Sequence, residues 1–255
     1  MLSNSSKRAD RTVGSLAPMG FGAELFDGVV TSGELVHRGL RDRKAGSVFA
    51  PLGRRVWHVT WARRGTVSLE GLGLQVVDDP GEAEFILVHG VEGVARSEGG
   101  VAECEYAELE RTLREAAEKR PGVPLVCANP DFETVAGGRA TKAMPGALAR
   151  AYAKAGGENV VLIGKPEPLI YDACLDEAER LGVRDASKIC AVGDSLHHDI
   201  AGAAGMSLDC LLVTCGLHAG ELQQAGVSPE PQAVAELAAR MGVPPPTHVC
   251  SSLTL

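Results

Sequence analysis

The chain has no run approaching the ~18 consecutive apolar residues that a membrane-spanning helix needs, so a transmembrane protein is not expected. It has no basic excess either. Its 25 Lys and Arg stand against 33 Asp and Glu, a net charge of −8, and a nucleic-acid binder usually carries the opposite sign. No Cys-x-x-Cys pair occurs. The seven cysteines are odd in number and scattered, which disfavours a disulfide scaffold or a zinc ribbon. A reducing interior, cytoplasmic or organellar, fits that usage best. There is no repeat, low-complexity block or long linker. Gly71-x-Gly73 stands alone, whereas a dinucleotide fingerprint needs three glycines between a strand and a helix.

What is present is ordinary for a globular protein. The 255 residues are 45% hydrophobic and 23% charged, enough for a real core in one large domain or two modest ones. Charge is unevenly spread, +6 over the first 64 residues and −14 over the rest. The start, Ser3-Asn4-Ser5-Ser6-Lys7-Arg8, has the basic, Ser-containing look of a transit peptide, but Asp10 and the short reach of the pattern weaken that reading.

Three zones can be separated. The first, to about Ser47, is Gly-rich and ends in the charged run Arg38 to Lys44, read as a solvated helix end. The second alternates short apolar runs (Val56–Trp61, Phe85–Val88, Val123–Ala128) with a helical pattern over Glu103–Lys119, which predicts a small α/β unit. In the third, Asn159–Ile163, Ile189–Val192 and Cys210–Thr214 read as buried strands. Pro168–Arg180 between them reads as a helix, with Pro in its first turn and Gly182 past its end. That succession predicts one parallel sheet covered on both faces, with ligands bound beyond the carboxyl ends of its strands. Lys165, Asp194 and Ser195 fall at those ends.

Chemistry concentrates in Gly193-Asp194-Ser195-Leu196-His197-His198-Asp199. An Asp leaving a buried strand after Gly points into the cleft, and a second Asp five residues on lies in the first turn of the next helix. The two could share a hard cation, since Mg²⁺ asks for one or two carboxylates plus waters and a phosphate. The plainer alternative makes Asp194 a turn residue and Asp199 a helix N-terminal charge. Lys165, between Gly164 and Pro166, could neutralise an anion across the top of the sheet or be a surface loop lysine. His197 and His198 are adjacent and cannot easily face one metal. Cys210 and Cys215 are expected in the core.

These residues resemble the haloacid dehalogenase (HAD) superfamily, and within it the class IIA phosphatases related to NagD-type nucleotide and phosphoglycolate phosphatases. Gly164-Lys165-Pro166-Glu167-Pro168 and Gly193-Asp194-Ser195-x-x-x-Asp199 resemble its third and fourth motifs. Ala128-Asn129-Pro130-Asp131 resembles its cap loop. Leu2-Ser3-Asn4-Ser5 and Thr31-Ser32-Gly33-Glu34 resemble its second motif and the stretch that follows it.

The resemblance implies an α/β fold: a Rossmann-like core over residues 1–47 and 151–255, with an α/β cap inserted over 48–150. It further implies Mg²⁺-dependent hydrolysis of a small phosphorylated metabolite. Ser3 and Asn4 would hold phosphate. Lys165 would offset the charge of phosphate and nucleophile, and Asp194 would hold Mg²⁺ with Asp199 in support. Asn129 and Asp131 would face the substrate from the cap. Arg139 is a weaker cap candidate. Dimerisation through the cap is common in relatives and is carried over as an expectation.

The family's first motif, Asp-x-Asp-Gly, supplies the nucleophile and the general acid–base. No two aspartates here stand two apart, and Leu25-Phe26-Asp27-Gly28-Val29 has Leu where the nucleophile belongs. The motif order would put that first core strand before Met1, so the expectation is of a chain lacking it, with Met1 an internal residue of a longer product and turnover near background. The alternative is a non-catalytic pseudo-phosphatase that binds a phosphorylated ligand or a protein partner. A third reading, phosphotransfer to another acceptor, turns on the cap, and the Mg²⁺-type residues speak against dehalogenation.

Overall fold

The computed structural model describes residues 1–63, 67–136, 140–222 and 231–253. The chain divides into two compact units, Met1–Gly164 and Lys165–Leu255.

The first unit opens with β1 (Leu2–Ser3), α1 (Ala9–Leu16), β2 (Val30–Thr31) and α2 (Ser32–Asp42). β1 and β2 pair in parallel, Ser3 opposite Thr31. The Thr31 hydroxyl caps α2 by accepting the Glu34 N–H at 3.0 Å, as the Thr-x-x-Glu spacing favours. Next come β3 (Arg55–Thr60), β4 (Gln75–Val76), β5 (Phe85–Val88), β6 (Gly93–Ala95), β7 (Val101–Glu103) and α3 (Tyr106–Lys119). They are followed by β8 (Leu125–Cys127), the ribbon β9 (Glu133–Ala136) and β10 (Ala140–Ala143), α4 (Pro145–Lys154) and β11 (Val160–Leu162).

Seven of these strands form one mixed sheet in the order β11-β8-β5-β3-β6-β7, with β4 beside β3. β3, β5, β8 and β11 run parallel, β6 pairs antiparallel to β3, and β7 pairs antiparallel to β6. Strand alternation puts Trp57, Val59, Ile86, Val88, Leu125 and Cys127 on one face, where they pack with Leu109 and Leu113 of α3 and Leu148 and Tyr152 of α4. The Tyr152 hydroxyl donates to the Val123 carbonyl at 2.7 Å, so this aromatic ring is buried with its polar end satisfied.

The second unit holds α5 (Pro168–Arg180), β12 (Cys190–Gly193), α6 (Ala201–Gly205), β13 (Asp209–Val213), α7 (Ala219–Leu222), α8 (Pro231–Arg240) and β14 (His248–Cys250). Its sheet is parallel, in the order β12-β13-β14. α5 begins and ends where Pro168 and Gly182 predict.

Two readings of the third zone are corrected here. The strand at 159–163 does not join β12 and β13. β11 pairs with β8 instead, Val161 opposite Val126, because an apolar run specifies a buried strand but not its neighbour. Nor is β12 covered on both faces. It is the edge of its three-stranded sheet, and Val192 keeps 51% of its surface exposed. Among the described residues no helix is long and apolar enough to cross a membrane.

Candidate functional site

In the second unit, β12 runs directly into Gly193-Asp194-Ser195. The Ser195 hydroxyl caps the next segment by accepting the His198 N–H at 3.1 Å. Residues 196–200 then form a single wide π-helical turn before α6, a local irregularity that recurs at functional sites. The Tyr171 hydroxyl of α5 holds that turn from outside, shared between the carbonyls of His198 (3.0 Å) and Asp199 (3.2 Å). Burial and the nearby Asp199 charge push the Tyr171 phenol up, so it stays a donor.

The turn throws the Asp199 side chain back over the strand end. One carboxylate oxygen receives the Lys165 ammonium at 2.6 Å, and the other accepts the Ser195 backbone N–H at 3.1 Å. A Cβ on Gly193 would lie 2.2 Å from the Asp199 carboxyl carbon, so the fold-back requires glycine there. Lys165 and Asp199 keep only 17% and 12% of their side-chain surface.

Asp194, by contrast, is exposed. Its Oδ2 accepts the Leu217 N–H at 2.9 Å, and Gly216 leaves room for it, since a Cβ there would come within 2.2 Å of that oxygen. Next to it, Nε2 of the buried His218 faces the Leu196 N–H at 3.2 Å and Nδ1 faces Glu221 Oε2 at 2.8 Å. His218 and Glu221 did not stand out in the sequence. Their three-residue spacing after Gly216 was the available signal.

The donor set can be tested against a magnesium ion. Among the described residues no three His, Cys, Asp or Glu groups converge as a cage. Asp199 has both oxygens on protein donors, so its partners are Lys165 and a backbone amide. Asp194 keeps one oxygen without a hydrogen bond among the described residues. That fits an ion which retains several waters and takes one or two protein carboxylates. His197 is exposed and meets the His198 ring edge-on with centroids 5.2 Å apart, while His198 Nδ1 lies 3.1 Å from the Ser195 hydroxyl. Cys210 is buried as expected. Cys215 is exposed, because it lies past the end of β13 in the loop that carries His218.

The first unit gathers the other candidates. Ser3 ends β1, and its hydroxyl accepts the Ser5 N–H at 3.2 Å. Ser5 repeats the same turn onto Lys7. The buried Asn4 amide donates to Asp131 Oδ1 at 2.7 Å, and Asn129 Oδ1 accepts the Asp131 N–H at 2.8 Å. Asn4, Asn129 and Asp131, read separately from two stretches of sequence, therefore share one polar knot. Gly164, at φ +148°, is wedged against it, since a Cβ would lie 2.4 Å from Pro130 Cδ and 2.8 Å from Asn4 Oδ1.

Glu34 anchors the loop after β1. Its carboxylate takes Arg8 at 2.5 Å, the Ala9 N–H at 3.3 Å and Arg38 at 3.0 Å. Burial alone would push the Glu34 carboxyl up, but the Arg8 bond, the Ala9 amide, the Arg8 charge and Arg38 outweigh it and hold the group at about 2.

Two histidines, His58 on β3 and His89 just past the end of β5, are fully buried. His58 Nε2 and His89 Nδ1 lie 2.9 Å apart, while His89 Nε2 and the Thr60 hydroxyl have no partner among the described residues. Burial pushes His58 down to about 3, and burial with the neighbouring His58 and His37 pushes His89 well down. Arg139 lies outside the described residues.

A family model described as haloacid dehalogenase-like hydrolase matches residues 26–206, and one described as HAD-hydrolase-like matches residues 162–254. No curated protein matches the chain. Among solved structures, a hydrolase of the haloacid dehalogenase-like family from Brucella suis is 28% identical with a TM-score of 0.70. That alignment covers 98% of this chain and 81% of the other. A possible sugar phosphatase of the HAD superfamily from Cytophaga hutchinsonii is 20% identical, TM-score 0.70, with 100% and 82% covered. A glycerol phosphate phosphatase from Mycobacterium tuberculosis, in complex with magnesium, is 24% identical, TM-score 0.57, with 88% and 60% covered. The first model spans well over half of the sequence, including Lys165, Asp194 and Asp199, and on that match the chain belongs to the haloacid dehalogenase-like hydrolases.

Proposed function

We propose that the protein is built for Mg²⁺-dependent phosphatase chemistry on a small phosphorylated metabolite. The observation that carries this reading is the arrangement at the end of β12: a half-used exposed carboxylate, Asp194, beside the buried Lys165–Asp199 pair. Asp194 would hold the cation, which when bound withdraws charge from a phosphoryl oxygen. Lys165 would add positive charge, and Asp199 fixes where that charge sits. Ser3 and Asn4 would donate to phosphate oxygens. Asn129 and Asp131 would select the substrate. The HAD-type resemblance and the phosphatase names of similar structures support these roles. We read residues 48–150, which carry six strands of the seven-stranded sheet (β3 to β8), as the cap, and a cap-mediated dimer belongs to the same proposal.

A second reading has its own observation. These 255 residues contain no Asp-x-Asp pair, so no carboxylate nucleophile of the family's kind is present in them. Under it the chain binds the phosphorylated ligand without turning it over. One experiment tests both. Calorimetry with Mg²⁺ and inorganic phosphate should show binding that Asp194→Asn and Lys165→Met abolish, and failure to bind either ion overturns the proposal. Mg²⁺-dependent release of phosphate from an aryl phosphate would exclude the binding-only reading.

A further inference from the structure

The loop after β13 wraps the Asp194 carboxylate. Gly216 leaves the space for it, the Leu217 N–H binds Oδ2 at 2.9 Å, and the next residue, His218, holds the Leu196 N–H at 3.2 Å, two positions beyond Asp194. A backbone N–H only donates, so His218 Nε2 must present its lone pair to Leu196. The ring proton then sits on Nδ1, where Glu221 Oε2 accepts it at 2.8 Å. His218 is buried to 5% exposure, while Glu221 is 55% exposed at its side chain. The Leu196 amide and the Glu221 carboxylate thus call for the same tautomer of a buried ring, and that ring ties the Asp194–Leu196 turn to the loop holding Asp194 Oδ2.

We propose that His218, oriented by Glu221, is a positioning residue for the Asp194 carboxylate. This rests on reading Asp194 as the Mg²⁺ ligand. Outer partners of metal-binding groups set ligand orientation, and their removal costs about 10–100-fold in metal affinity. The bond to Leu196 and the bond from Leu217 flank Asp194 in space, so loss of the ring lets the turn and the loop drift apart.

The test uses the 255-residue chain and Mg²⁺ alone. Nitrogen-15 NMR of labelled histidine, recorded without metal, should show His218 protonated on Nδ1, and Glu221→Leu should move that proton toward Nε2. Calorimetry should show Mg²⁺ binding weakened about 10–100-fold in Glu221→Leu and His218→Leu. Glu221→Gln, which keeps an acceptor, should retain wild-type affinity. Glu221 lies at the surface, so its variants fold even if His218→Leu does not. Wild-type protein with the proton on Nε2, or Glu221→Leu that shifts the proton yet binds Mg²⁺ as tightly, overturns the positioning role alone. Equal Mg²⁺ binding by wild type and Asp194→Asn overturns the metal reading itself, and the positioning role with it.

Discussion

Lys165 Nζ lies 2.6 Å from Asp199 Oδ1, while the other oxygen of the same carboxylate takes the Ser195 backbone N–H. The lysine is thereby held at the turn that carries Asp194. Breaking a fully buried pair by removing one partner costs about 3–5 kcal/mol. These side chains keep 17% and 12% exposure, so Asp199→Ala should cost somewhat less, about 2–3 kcal/mol in urea unfolding. Lys165→Met and Asp199→Asn should be strongly non-additive in a double-mutant cycle. Additive losses would show that the pair does not act as one unit.

Asp194 behaves differently because it is exposed and holds a single amide. Asp194→Asn should change stability by less than about 1 kcal/mol, as for most surface substitutions. It should nevertheless remove Mg²⁺ binding measured by calorimetry. Unchanged Mg²⁺ affinity would separate this residue from the metal.

The His58–His89 pair makes a prediction about acid. Both groups titrate below the ordinary histidine value in the folded chain, His58 at about 3. Below pH ~6.5 the unfolded chain binds protons that the folded chain refuses, so stability is full above that pH and falls as pH drops toward 3. The slope should reach about 1.4 kcal/mol per pH unit for each histidine. Urea midpoints between pH 7 and 4.5 should show it, and a His58→Leu, His89→Leu double variant should flatten it.

Glu34 works in the same direction at lower pH. Its folded value of about 2 lies below the ordinary 4.5, so its contribution is complete above pH ~4.5 and is lost as pH falls toward 2. Arg8 and Arg38 keep 36% and 47% exposure, and solvent screening discounts their attraction. Glu34→Gln should therefore cost only about 1–2 kcal/mol at pH 7. It should also speed amide exchange in the Ser3–Ala9 loop, which Glu34 holds through Arg8 and the Ala9 N–H. An unchanged exchange rate there would show that the loop is anchored by other contacts.

Local features were legible in the sequence. The ends of α5 follow from Pro168 and Gly182, and β5 follows from its apolar run. These depend on backbone preferences and patterns a few residues long. The same reasoning put Cys215 in the core and β12 between two covered faces, and both failed because exposure is set by which neighbours arrive.

The sequence by itself determined the residue types that carry the chemistry, their place at the ends of strands, and the family to which they belong. Only the tertiary structure decided their partners: β11 beside β8, Asn4 on Asp131, Asp199 on Lys165, and His218 on Leu196. The physical reason is range. Propensity and capping act within a turn or two of chain, whereas each of these contacts closes a loop of more than twenty residues, and its geometry is set by the packing of everything between.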